Sequence, residues 1–140
     1  MSTQSSIEET RYGLRTSVPL GYEAAIEKTT AALKAQGFGV LTTIEIHKAL
    51  KEKLGVDFRR YTILGACNPP LAHRALTAEL ELGLLLPCNV IVYEQPDGGS
   101  VVAAMAPLPT IGMIGNPELQ SVAKDADEGL RKALEMVARG

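Results

Sequence analysis

The amino-acid sequence predicts one α+β domain, in which an antiparallel or mixed sheet is covered by helices on one face. Segments with strand-like alternation are interspersed with segments whose apolar residues recur every three or four positions, as in amphipathic helices. Two of the predicted strands form a hairpin, and the regular β-α alternation of a doubly wound fold is absent. At 140 residues, the chain has the length of a single domain with its own hydrophobic core.

The beginning of the chain is predicted to be a flexible leader at residues 1–10, followed by one domain at residues 11–140. The leader lacks the basic start and apolar run of a signal peptide, and the apolar stretch Leu82–Pro87 is far shorter than the roughly 20 residues of a membrane span. Two cysteines without a secretion signal indicate reduced thiols. We therefore expect a cytoplasmic protein with no membrane partner.

The first part of the domain is predicted to alternate strand, helix, strand and helix. Pro19 ends the first strand because it removes a backbone donor. Gly37 and Gly55 end the two amphipathic helices, as glycine commonly does. The four elements are Arg11–Val18, Leu20–Gly37, Phe38–Ile44 and Ile46–Gly55.

The middle of the domain is predicted to hold a strand at Arg60–Cys67 and then a helix. Asn68 is a favoured N-cap and Pro69 a favoured first helical residue, so the helix begins directly after the strand. The apolar run Leu82–Leu86 fits a short buried strand or an extended link.

The last part of the domain is predicted to be a hairpin, a loop and a long helix. The strands Cys88–Glu94 and Ser100–Met105 flank a five-residue segment whose Asp-Gly pair suits a tight turn. Pro107–Gly115 reads as a loop rich in Pro and Gly. Asn116 and Pro117 repeat the cap signature before an apolar stripe that continues for five turns.

The charge pattern argues against a nucleic-acid partner. Lysine and arginine total 14 against 16 acidic residues, the net charge is −2, and the charges are scattered. Binding to phosphates needs clustered cations, and stacking on bases needs exposed aromatic side chains. The chain has no cluster of cations, and it has few aromatic side chains, with two Phe, four Tyr and no Trp.

Cys67 is the strongest candidate nucleophile. It directly precedes the predicted helix cap at Asn68, where unpaired N–H groups and the helix dipole lower a thiol pKa. His73 is the local candidate for a catalytic base. The alternative is that Cys67 is an inert core residue, since cysteine is among the most buried residue types.

Cys88 begins a predicted strand on the same face as Val90 and is the second candidate thiol. We expect antiparallel neighbours to hold Cys67 and Cys88 at opposite ends, and a parallel or crossed-over arrangement to bring them together; the sequence leaves both open. The candidate ligand-binding residues are Cys67, Asn68, Cys88 and Asn89. No metal site is predicted, because a closed zinc site wants four ligands, and His47 is expected on a helix surface.

Two Cys-Asn blocks carry a family resemblance. The segments Leu64–Ala72, which reads LGACNPPLA, and Leu86–Glu94, which reads LPCNVIVYE, resemble the domain-of-unknown-function family 302. The resemblance runs from about Tyr12 to the C-terminus, and includes Gly37–Val40 and Asn116–Leu119. It implies a fold like that of the TATA-binding protein, with a curved antiparallel sheet covered by helices, often dimeric. It implies neither DNA binding nor a known activity.

These observations lead to two alternative expectations for function. One is a homodimeric cytoplasmic module that binds a small ligand near Cys67 and Cys88, with a thiol-based sulfur or redox role. The other is a non-enzymatic structural or regulatory dimerisation module whose cysteines only pack. The homodimer is expected because alanine-rich helix stripes bury little area and leave sheet surface for a partner. Whether the protein is an enzyme, and which cofactor it uses, stay open.

Overall fold

A computed structural model describes residues 7–139 of the chain. In this range six strands, four α-helices and two short stretches of 3-10 helix follow one another. In chain order the elements are β1 (Glu8–Glu9), β2 (Gly13–Val18), α1 (Tyr22–Ala35), β3 (Gly39–Glu45), α2 (Ile46–Leu54), β4 (Tyr61–Cys67), α3 (Pro69–Ala78), the 3-10 turn Leu80–Leu85, β5 (Cys88–Glu94), β6 (Ser100–Met105), the 3-10 turn Ile111–Ile114 and α4 (Pro117–Ala138).

The strands form one sheet with the order β1-β2-β6-β5-β4-β3, and every neighbouring pair is antiparallel. The helices pack on one side of it. The predicted α+β class is therefore confirmed, in its antiparallel form. Because side chains alternate along a strand, Leu64, Val90 and Val102 point into the core, whereas Ile63 and Ile91 lie on the opposite side. We call that second side the open face, because no described helix packs on it.

A glycine in the last helix allows a close approach to the core. Gly129 lies in the middle of α4, where a side chain would ordinarily favour the helix. A Cβ atom there would lie 2.7 Å from Cε1 of Phe38, and Phe38 is almost completely buried. The missing side chain therefore lets the Phe38 ring pack directly against the backbone of α4.

The predicted positions of the main helices and strands are confirmed, but the apolar run after α3 is different. The prediction of a strand or extended link at Leu82–Leu86 was wrong, because these residues belong largely to the 3-10 turn Leu80–Leu85. The backbone N–H groups of Leu82 and Leu86 donate to the carbonyls of Glu79 and Gly83, both at 3.1 Å. These local hydrogen bonds replace the ladder that a strand would need.

Two residues of the predicted leader, residues 1–10, lie in the sheet. Residues 1–6 lie outside the described residues, but Glu8–Glu9 pairs with β2 as a short edge strand. Two arginines hold it, since Arg15 contacts Glu8 at 2.9 Å and Arg131 contacts Glu9 at 2.6 Å. This part of the predicted leader therefore belongs to the folded domain.

The helix-surface position predicted for His47 was wrong. Its side chain is half-buried, its Nδ1 accepts a hydrogen bond from the backbone N–H of Tyr61 at 3.0 Å, and its ring meets that of Tyr22 edge-on at 5.9 Å. These contacts turn His47 towards the start of β4. Among the described residues, no helix has the length and apolar character to cross a membrane.

Candidate functional site

A cavity of about 350 Å³ lies between α3, α4 and one end of the sheet. The sheet contributes Ala66 and Cys88, and the buried ring of Phe38 forms part of the wall. The apolar residues that complete the wall come from α3, α4, the 3-10 turn Ile111–Ile114 and the residue after the turn Leu80–Leu85, and include Leu71, Ala75, Leu76, Leu86, Ile111, Val122 and Ala126.

Small side chains on both helices account for this space. Ala75 of α3 and Ala126 of α4 are buried and face the cavity. Alanine gives a strong helix but reaches only a short distance towards its neighbours. The alanine-rich stripes seen in the sequence therefore leave a gap between the two helices and the sheet end.

The two cysteines meet at this cavity. In the β4–β5 pairing, Ala66 is the partner of Cys88, so Cys67 is the next residue along from that pair, and both cysteines line the cavity. The expectation that antiparallel neighbours would separate them was wrong. Antiparallel strands run in opposite directions, and the end of β4 therefore lies level with the start of β5.

The cysteines differ in their surroundings. Cys88 is buried with 7% of its surface exposed, and burial, aided by the nearby Cys67, raises its pKa to about 11. A thiol with this pKa is protonated at neutral pH. Cys67 is only half-buried and directly precedes the N-terminus of α3, so it is the more accessible of the two sulfur atoms.

Asn68 has a structural task at the cavity wall. Its Oδ1 accepts a hydrogen bond from the backbone N–H of Leu71 at 3.2 Å, which confirms it as the N-cap of α3. One acceptor of the carboxamide is thereby occupied. Asn68 also lines the cavity. Its contact with a ligand stays a prediction, and such a contact would use the part of the side chain that does not cap α3.

Asn89, the fourth predicted ligand-binding residue, does not line this cavity. It is exposed and contributes to a groove on the open face, together with Arg15, Tyr61 and Tyr93. It follows Cys88 on the same strand, and successive side chains point to opposite sides of a sheet. Of the four predicted ligand-binding residues, the structure thus brings Cys67, Asn68 and Cys88 together at one cavity and places Asn89 outside it.

His73, the candidate base for Cys67, is exposed on α3 and lines a different groove with Arg74 and Glu118. It does not line the cavity that holds Cys67. Within residues 7–139, no group of three or more His, Cys, Asp and Glu side chains is placed to hold a metal ion. The cavity is lined mainly by apolar side chains, and Cys67 is the more accessible of its two thiols.

Sequence reasoning missed a cluster of tyrosines on the open face. The rings of Tyr61 and Tyr93 stack in parallel at 5.5 Å, the guanidinium of Arg59 lies 5.7 Å from the Tyr93 ring, and Tyr12 lines the same groove. The alternation within each strand could have placed Tyr61 and Tyr93 away from the core. Their pairing depends on the register between β4 and β5, which no local pattern reveals.

The fold and cavity define a small α+β domain with one helix-covered sheet face and an apolar pocket at the sheet end. The sequence profile of "Domain of unknown function DUF302" matches residues 14–137. The chain belongs to this family, which confirms the resemblance seen in the two Cys-Asn blocks.

A solved structure supports the same assignment. The chain is 33% identical to the uncharacterized conserved protein DUF302 from Bacillus stearothermophilus, whose crystal structure it matches with a TM-score of 0.83. The match covers 91% of this chain and 98% of that protein. Among curated proteins, no sequence matches this chain significantly.

Proposed function

We propose that this protein is a homodimeric module that binds a small apolar ligand in the cavity beside Cys67 and Cys88. The cavity itself is the observation that carries the proposal. Its volume of about 350 Å³ falls in the range of roughly 300–1,000 Å³ that is typical of ligand pockets. A cavity of about 150 Å³ with similar walls is enough to bind benzene.

The energetics of the cavity favour an apolar occupant. The wall of the cavity presents apolar side chains to solvent, among them Leu41. A hydrocarbon that binds there removes apolar surface of the wall and its own apolar surface from water, and each contributes about 25 cal/mol for each Å². Both contributions support binding without any new hydrogen bond.

The different surroundings of the two cysteines indicate which thiol would carry the proposed sulfur or redox role. Cys88 has a pKa of about 11, so we assign it to packing against the ligand. Cys67 is half-buried and lines the same cavity, so any sulfur or redox step would use Cys67. We place the module in the cytoplasm, where both groups stay reduced.

The proposed homodimer uses the open face. A sheet face five strands wide and about six residues long measures about 24 by 20 Å. This flat footprint of about 480 Å² is about three-fifths of the roughly 800 Å² that each partner gives to a standard interface, and the accessible area of the pleated face exceeds the footprint. The face carries Tyr61, Tyr93 and Arg59, residue types that are enriched in interfaces, around the half-buried Ile63 and Ile91.

The same face supports the alternative function, a dimerisation module without a ligand. In that case the burial of Cys88 is explained by packing alone. The two functions differ in what happens at the cavity, because the alternative requires no binding there.

Titration with N-phenyl-1-naphthylamine, an uncharged probe that fluoresces in apolar surroundings, tests ligand binding. We expect saturable binding to the wild-type protein. Ala72→Leu should abolish it, because Ala72 lines the cavity and leucine keeps the helix while filling the space. Ala78→Leu is the matched control, since Ala78 lies on the same helix, is half-buried and lines a different groove.

Two results would overturn the ligand-binding proposal. One is the absence of saturable fluorescence with the folded wild-type protein. The other is equal loss of binding in Ala72→Leu and Ala78→Leu, since the probe would then report a change in α3 rather than the filling of the cavity. Circular dichroism of each variant checks that the fold is kept.

A further inference from the structure

The cavity contains a thiol that has no hydrogen-bond partner. Cys88 lines the cavity and is only 7% exposed, and no described residue accepts a hydrogen bond from it. Because burial keeps this thiol protonated at neutral pH, its S–H group is a weak donor without an acceptor. A molecule in the cavity that carries an acceptor oxygen would satisfy this buried donor.

We infer that the ligand is an alkenal, an α,β-unsaturated aldehyde with a hydrocarbon tail, and that Cys67 captures it by conjugate addition. The tail lies in the cavity, and the carbonyl oxygen accepts the hydrogen bond of Cys88. This inference rests on the proposed ligand-binding function. It adds the chemical class of the ligand and the reaction at the accessible thiol.

The two thiols are close enough to contact one small molecule. Ala66 is the strand partner of Cys88, and Cys67 is the next residue after Ala66. Antiparallel partners have Cα atoms about 4.5–5.5 Å apart, and consecutive Cα atoms are about 3.8 Å apart. The Cα atoms of the two cysteines therefore lie within about 7 Å of each other, and one conjugated C=C–C=O unit can contact both residues.

The cavity restricts the chemistry that is open to Cys67. Among the described residues, no His, Lys, Arg, Asp or Glu side chain lines it, so no charged acid or base lies beside the thiol. Acyl transfer through a cysteine relies on an adjacent base. Conjugate addition does not, because cysteine is intrinsically very nucleophilic even when only a few per cent is thiolate.

The start of α3 also lacks the free backbone donors of an oxyanion hole. Pro69 and Pro70 carry no N–H group. The N–H groups of Leu71 and Ala72 both donate to Asn68, to its Oδ1 at 3.2 Å and to its carbonyl at 2.9 Å. These donors are therefore occupied, and the geometry favours an addition over the tetrahedral intermediate of acyl transfer.

The proposed step balances without a further reactant. The Sγ atom of Cys67 forms a bond to the β-carbon of the alkenal, and the electron pair of the C=C bond moves towards the carbonyl oxygen. The α-carbon then takes up a proton from water, which replaces the proton that the thiol released. The product is a thioether that keeps its aldehyde, so neither an oxidant nor a leaving group is needed. The S–H of Cys88 stabilises the oxygen while negative charge develops there.

The wall of the cavity selects alkenals that carry a tail. Its volume of about 350 Å³ is lined mainly by apolar side chains, and a hydrocarbon tail loses its contact with water there. A long-chain alkenal therefore binds before it reacts, and its β-carbon is held beside Cys67. A short-chain alkenal has the same reactive group without this advantage.

The rate of adduct formation tests the inference. The long-chain alkenal trans-2-nonenal is compared with its short-chain homologue crotonaldehyde by mass spectrometry with peptide mapping. Each rate is divided by the rate of the same aldehyde with glutathione, which removes the intrinsic difference in reactivity. We expect the normalised rate at Cys67 to be at least roughly tenfold higher for trans-2-nonenal.

Two results would overturn the inference while the ligand-binding function stands. These are equal normalised rates for the two aldehydes, or faster addition of trans-2-nonenal at Cys88 than at Cys67, in a protein that binds N-phenyl-1-naphthylamine saturably. If the probe itself fails to bind, the proposed function falls and the inference with it.

Variants locate the tail and the donor. Ala72→Leu fills the cavity and should remove the advantage of trans-2-nonenal, whereas Ala78→Leu, which lines a different groove, should keep it. Cys88→Ala should slow the addition of trans-2-nonenal several-fold, and Cys88→Ser should retain the rate because serine keeps a donor. An unchanged rate in Ala72→Leu or in Cys88→Ala would contradict the proposed placement of the alkenal. Circular dichroism checks the fold of each variant.

Discussion

At the scale of single residues, Cys67 and Cys88 meet at one cavity but differ in chemistry. Cys88 lies among core side chains that cannot solvate a thiolate, and this raises its pKa. Cys67 is half-buried beside the cap of α3. The protein therefore presents one accessible thiol and one packed thiol, and these should react at different rates.

Iodoacetamide alkylation with mass-spectrometric assignment measures this difference. Thiolate is the reactive form, and with a pKa of about 11 only about one Cys88 side chain in a thousand is ionised at pH 8. We expect Cys67 to be modified first at pH 8, and Cys88 to react only as the pH rises towards 11 or after unfolding in guanidinium. Modification of native Cys88 as fast as Cys67 at pH 8 would contradict this account.

The sequence was informative about which residues matter and less so about their chemistry. It singled out Cys67, Cys88 and the capping Asn68, because each stands next to a local signal for a strand or helix end. The raised pKa of Cys88 could not be predicted, since it arises from side chains distant in sequence. The place of Asn89 on the open face, by contrast, follows from the alternation of side chains along β5 and was predictable from the sequence.

At the scale of elements, α3 forms much of the cavity wall, and its start is fixed by Asn68 and Pro69. Arg74 joins the helix to α4 through Glu118 at 3.1 Å, Ser121 at 2.9 Å and Asp125 at 2.9 Å. A capped start and a polar link to α4 therefore position α3 beside the cavity.

Replacement of the cap tests the role of Asn68. Asn68→Ala should lower the free energy of unfolding by about 1 kcal/mol, because it leaves the N–H of Leu71 without its acceptor. Asn68→Ser should retain most of the stability, since serine is an equally favoured cap. Urea denaturation of both variants measures the difference. If both variants lost the same stability, the cap would not explain the role of this residue.

Helices and strands were predictable because their periodicity and caps are local. The capped helices α3 and α4 and the hairpin β5–β6 follow directly from Asn-Pro and Asp-Gly signals. The turn Leu80–Leu85 was not predicted, because a short apolar run has no period that separates a strand from a 3-10 turn. Its exposed leucines stand next to Gly83 and Leu86, which line the cavity, and the sequence did not reveal this arrangement.

At the scale of the whole molecule, the sheet is covered on one side and has an open face on the other within residues 7–139. The strand order could not be read from the sequence, because it depends on pairings such as β2 with β6, which are distant along the chain. The cavity was also beyond prediction, since its walls come from elements that meet only in the folded domain.

Sedimentation velocity tests the homodimer proposed for the open face. We expect the wild-type protein to be a dimer at micromolar concentration and Ile91→Glu to be a folded monomer, because a charge at the centre of the face opposes burial. Leu80→Glu is the control, since Leu80 lies in the turn beside the cavity, and it should remain a dimer. A monomeric wild-type protein, or a dimeric Ile91→Glu, would contradict the proposed interface.

The central claim is that the cavity between α3, α4 and the sheet end binds an apolar molecule. Methyl-resolved NMR during titration with naphthalene tests it most directly, because it reports where the molecule binds. We predict saturable shifts at the cavity methyl groups of Leu71, Leu76 and Val122, with those of Ile63 and Ile91 on the open face unchanged. Shifts confined to Ile63 and Ile91, or no saturable shift at any methyl group, would contradict the claim.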